Sequence, residues 1–127
     1  MSLEFQYMRD PGEPTSERVI FRASGNLDVG NYCLLASSTN NKQEPTSGGK
    51  VAFWFPDKEV GNGDTVVVYT KAGDDKSRKN DDGTQSHFFY WGRTKSLWSV
   101  ENNGVVVLQA RTWNFHLTKV RSQTAKS

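Results

Sequence analysis

Short apolar runs, each closed off by glycine, asparagine or proline, constrain this chain more than any other feature of its sequence. A buried helix face needs apolar residues three and four apart over about 11 positions, and no stretch supplies that spacing. The runs instead have strand length and are rich in β-branched and aromatic residues. Eight are read as strands: Glu4 to Met8, Glu17 to Ala23, Asn31 to Ser37, Lys50 to Phe55, Asp64 to Thr70, Ser86 to Trp91, Gly104 to Gln109 and Thr112 to Val120. Asp10-Pro11-Gly12-Glu13-Pro14, Gly25-Asn26, Gly61-Asn62-Gly63-Asp64 and Asn102-Asn103-Gly104 punctuate them, because Gly and Asn tolerate positive φ and Pro cannot donate to a ladder. Strands at this spacing without intervening helices predict an all-β sandwich or barrel.

At 127 residues the chain is expected to form one domain over residues 1–127, with a core at about 5–120 and a flexible tail at 121–127. Seven Phe, four Tyr and four Trp supply enough large apolar surface to exclude wholesale disorder. The formal net charge of +2 means that any electrostatic function must be local. The single cysteine, Cys33, excludes an intrachain disulfide and reads as a buried, inert thiol. No run approaches the ~20 apolar residues of a membrane helix, and no signal peptide is visible. A cytoplasmic location is expected if the chain is complete, and a secreted one if a leader was trimmed.

Two runs alternate clearly. Val51, Phe53 and Phe55 share one face while Ala52 and Trp54 share the other; Val66 and Val68 oppose Val67 and Tyr69. Apolar residues on both faces imply central strands or an interface on the outer side. The longest polar stretch, Lys71 to Ser86, reads as a loop that supplies adaptable contacts.

Read in order, several runs resemble the lamin tail domain family. Glu17-Arg18-Val19-Ile20-Phe21-Arg22-Ala23, with Asn26 behind it, resembles the family's opening strand. Leu27-Asp28-Val29-Gly30-Asn31-Tyr32-Cys33-Leu34 is similar to its Val-Asp-Leu-Ser-Gly-Trp-x-Leu motif, with Asn31 at the Gly and Tyr32 at the Trp. Phe55-Pro56, the Gly61 to Asp64 turn and Thr65 to Tyr69 follow as in the family. Trp91 and Trp98 then precede Glu101 to Leu108. The resemblance covers Phe5 to Val120; the family's Asp-x-x-Gly hairpin is missing around Gln109 to Trp113. It implies an immunoglobulin-like β-sandwich of about 7–9 strands in two mostly antiparallel sheets. It also implies a bacterial, stand-alone module that contacts protein or DNA and has no catalytic residues. The motif has a physical reading too. Asp28 can accept backbone N–H bonds at a tight turn, Gly30 relieves crowding there, and Tyr32 presents its ring to the core.

Catalytic motifs are scarce. His87 and His116 both sit among aromatics, and their default reading is as sheet-face histidines; no Gly-x-Ser-x-Gly elbow is present. One Cys and two distant His give no zinc pattern. Asp74-Asp75 and Asp81-Asp82 lack calcium-loop spacing. No cofactor is expected. The leading expectation is a non-catalytic binding or scaffold module for an unknown protein partner or a second copy, with Trp54, Tyr69, Trp98 and Trp113 as candidate anchors. The first alternative is DNA binding through Arg93, Lys95, Arg111, Lys119 and Arg121, the last three lying on or beside a basic final strand. The second is a small hydrolytic or carbohydrate-active β-domain, for which Glu59 and Glu101 are the isolated acids near aromatics.

Overall fold

A computed structural model describes residues 1–99 and 103–119. They form an all-β sandwich of ten strands: β1 (Ser2–Arg9), β2 (Arg18–Ser24), β3 (Leu27–Asp28), β4 (Tyr32–Ser37), β5 (Val51–Trp54), β6 (Glu59–Val60), β7 (Thr65–Tyr69), β8 (Lys76–Lys79), β9 (Gln85–Tyr90) and β10 (Gly104–Gln109). A short 3-10 turn, Val29–Asn31, leads into β4. The strands make a five-stranded sheet in the order β1-β2-β7-β9-β8, a three-stranded sheet β10-β4-β5, and the small pair β3-β6.

Period-two alternation decides what faces the core. Val19, Phe21, Val66, Val68 and Phe89 point inward from the large sheet, and Tyr32, Leu34 and Phe55 meet them from the other side. Phe55 and Phe89 pack edge to face across the gap with ring centroids 5.1 Å apart. Trp91 and Trp98 close one side of this core at 6.0 Å, also edge to face.

Glu17, fully buried just before β2, fastens the loops at this end. Its carboxylate accepts hydrogen bonds from the hydroxyls of Thr70 and Ser96 and from the backbone N–H groups of Leu97 (2.8 Å) and Gly12 (3.0 Å). Burial alone would raise its pKa, but these four donors outweigh it and hold the group below its ordinary value.

The Asp28 turn is as its sequence suggests. The Asp28 carboxylate accepts from the N–H groups of Gly30 (2.8 Å) and Lys58 (3.0 Å). A Cβ on Gly30 would press on the Asp57 carboxylate and come within 3.0 Å of the Asp57 Cα, so close approach of that backbone favours glycine here. The Tyr32 ring is buried.

Two expectations change. The stretch 71–86 contains β8, which hairpins into β9 through a turn with Gly83 at φ 89°. Its sequence, Lys76-Ser77-Arg78-Lys79, is polar on both faces because β8 is a sheet edge and all four residues are exposed. The chain therefore crosses from β7 to the far edge before returning, and this makes β9 parallel to β7. Conversely, Thr112 to Val120 alternates like a strand, yet residues 112–119 form none. It joins no ladder with the described strands, and the basic last strand expected to carry Arg111 and Lys119 is replaced by an irregular segment. Val120 and residues 121–127 lie outside the described residues.

Candidate functional site

Two outer faces and one buried polar chain hold the candidate side chains. On the three-stranded sheet the register aligns outward residues in two rows. Leu108, Cys33 and Trp54 form one, and Val106, Leu35 and Ala52 the other. All six are apolar or nearly so, although they face solvent. Trp54 is 55 % exposed and Trp113 is 57 % exposed. Their rings meet edge to face at 4.9 Å. The Trp54 indole N–H donates to the Gly30 carbonyl at 2.8 Å, so the same turn that favours Gly30 also orients the ring. A groove of about 410 Å³ is lined by both tryptophans together with Cys33, Ala52 and Leu108. Burial pushes the Cys33 thiol upward in pKa, against a weaker backbone hydrogen bond, so it behaves as a small apolar group. Phe115 and Leu117 continue the exposed apolar series beyond Trp113.

The other anchors divide. Trp98 is only 6 % exposed and belongs to the core; as a surface anchor it is corrected. Tyr69 faces outward on the five-stranded sheet, half-buried and stacked on Tyr90 with centroids 5.3 Å apart. Among the basic candidates, Arg93 and Lys95 are exposed on the loop after β9, and Arg111 and Lys119 on the segment after β10. The structure thus places them on two separate elements. Arg121 and Glu101 lie outside the described residues, and Glu59 is exposed on β6.

His87 is 3 % exposed and bonded at both ring nitrogens. Nε2 lies 2.8 Å from the Asp64 carboxylate, and Nδ1 lies 2.8 Å from the Ser77 hydroxyl. Asp64 also accepts from the N–H groups of Gly61 (2.9 Å) and Gln85 (3.0 Å). Its burial would raise its pKa, but the His87 bond and these amides together lower it. A carboxylate on Nε2 favours the tautomer that carries its proton there, leaving Nδ1 to accept from Ser77. Ser77 and His87 are direct cross-strand partners in β8 and β9. The sequence hides this chain because Asp64 ends the turn before β7 while Ser77 and His87 lie on β8 and β9, and together they match no spaced motif.

Among the described residues, no group of three His, Cys, Asp or Glu is placed to hold a metal ion, and no helix is long and apolar enough to cross a membrane. No family model matches the chain, and neither does any curated protein or solved structure.

Proposed function

We propose that the chain is a non-catalytic binding or scaffold module, a lamin-tail-like sandwich of immunoglobulin type that docks protein on the outer face of the β10-β4-β5 sheet. The observation that carries this reading is the pair of apolar rows capped by Trp54 and Trp113. Monomeric proteins rarely leave such contiguous apolar surface in water, and aromatic residues dominate interface energetics. A second copy of the chain is the partner this face fits. A two-fold contact needs a self-complementary patch, and here β5 and β10 are both sheet edges flanking one. Sedimentation velocity over rising concentration tests it. A dimer that Trp54→Asp with Leu108→Asp abolishes supports the reading; a monomer at every concentration overturns it.

A second reading, hydrolytic chemistry, is favoured by the Ser77–His87–Asp64 chain. Nucleophile, base and orienting acid are in hydrogen-bond order, and a depression of about 440 Å³ adjoins Ser77. A fluorophosphonate probe decides between this and a fastening role for the same bonds. Labelling of Ser77 that His87→Asn eliminates supports acyl transfer. An unlabelled protein leaves the chain as a strand fastener.

A further inference from the structure

We infer that the outer face of the five-stranded sheet is a binding site for single-stranded nucleic acid, independent of the Trp54 face. The register sets the outward positions. Tyr7 opposes Ile20, Arg9 opposes Arg18, and Glu4 opposes Arg22. Val67 opposes Phe88 and Tyr69 opposes Tyr90. Lys76 opposes Phe88, and Arg78 opposes Ser86. Five cations, Arg9, Arg18, Arg22, Lys76 and Arg78, therefore face outward on one sheet with a single carboxylate, Glu4, among them. Two acids reach this group from loops: Asp10 lies 3.3 Å from Arg18, and Asp82 in the β8–β9 turn interacts with Arg22. In a molecule of net charge +2, that is a strong local concentration of positive charge.

The cations sit over rings. The Arg9 guanidinium lies 5.3 Å from the Tyr7 ring centre, Arg18 lies 5.4 Å from that of Tyr69, and Arg78 lies 5.4 Å from that of Phe88. Lys71, from the loop after β7, also lies over the Tyr69 ring, 5.1 Å from its centre. Cation and aromatic thus alternate across the face. Two depressions, about 450 Å³ and about 350 Å³, share Tyr69, Arg78 and Phe88 in their walls, and neither is lined by a carboxylate. Together they cross all five strands, about 19 Å at the usual inter-strand spacing of about 4.8 Å.

This chemistry selects the occupant. Phosphates need the cations, and unstacked bases need flat partners, which the guanidinium planes lying on the Tyr7, Tyr69 and Phe88 rings supply. A single strand offers both at once along its length. A duplex keeps its bases stacked and would leave those planes without partners. An acidic peptide would use the charges alone.

The test is fluorescence anisotropy with labelled oligo(dT) and oligo(rU), beside a DNA duplex and poly-glutamate. Single strands should bind at low salt, with a log–log salt slope of about −2 to −3 for three to four neutralised phosphates. Tyr69→Leu, which keeps the apolar contact beneath, should weaken binding about tenfold. Arg9→Gln with Arg78→Gln should weaken it further and flatten the salt slope. Trp54→Asp should leave it unchanged, so failure here and failure of the docking face are separable. Preference for dT over rU or the reverse identifies which strand is favoured, and either supports the site. Absence of binding at low salt, equal binding of duplex, or equal competition by poly-glutamate overturns it.

Discussion

The two outer faces of this sandwich are built by one rule and look nothing alike. Both consist of the alternate residues that strands turn away from the core. On the β10-β4-β5 sheet those residues are apolar and meet two tryptophans. On the five-stranded sheet they are arginines and lysines laid over tyrosine and phenylalanine rings. The inner faces share a single core, so each outer face is free to differ without altering the fold. Recognition can therefore be divided between surfaces, one by exclusion of water and one by charge and stacking.

The largest expected effect falls on what both faces share. Glu17→Ala should lower unfolding free energy by about 3 kcal/mol, because two hydroxyls and two amides lose their acceptor in a buried site. Chemical denaturation measures it, and both faces should fail together as the fraction folded falls. A loss below about 1 kcal/mol would show that the two faces do not depend on this anchor.

Acid should produce the next effect. Glu17 and Asp64 titrate below their ordinary values of 4.5 and 3.8. The unfolded chain then takes up protons at higher pH than the folded one. The stability that each group adds is present above its ordinary value and is lost as pH falls through the folded value. Melting temperature should hold steady down to the ordinary carboxylate range and then decline. Glu17→Gln should shallow that decline; an unchanged acid limb would remove Glu17 as its source.

Ser77→Ala should cost about 1 kcal/mol, since it frees β8, the strand whose opposite face carries Lys76 and Arg78, from His87. Amide exchange should quicken in β8 first, and the apolar face should be untouched. Uniform quickening in both sheets would contradict that separation. The smallest effect is expected at Trp113, where replacement by Ala removes one edge-to-face contact from an exposed ring and should cost about 0.5 kcal/mol in the monomer. Self-association should suffer far more than stability. The reverse ranking would mark Trp113 as a packing residue.

Strands that alternate and find partners were legible in the sequence. Lys50 to Phe55 and Asp64 to Thr70 appear within a residue or two of their expected limits. Lys76-Ser77-Arg78-Lys79 was not legible, since an edge strand needs no apolar face and its only signature is the ladder it joins. The segment from Thr112 erred the other way, because alternation marks the capacity to pair and not the presence of a neighbour. The same limit applied to the tryptophans. Trp54 and Trp98 are equally aromatic in the sequence, but one lies at an outward position and the other in the Glu17-held loop, packed into the core.

The sequence by itself determined an all-β chain, most strand positions, the Asp28–Gly30 turn and the position of Tyr32 in the core. These are local: they follow from side-chain alternation, turn chemistry and steric room at single residues. Only the tertiary structure decided that Arg9, Arg18 and Arg78 share a face, that Ser77, His87 and Asp64 form one hydrogen-bonded chain, and that Trp113 comes to rest on Trp54. Those groupings depend on which strands become neighbours. That choice is made by burial of the whole core, and no short stretch of sequence contains it.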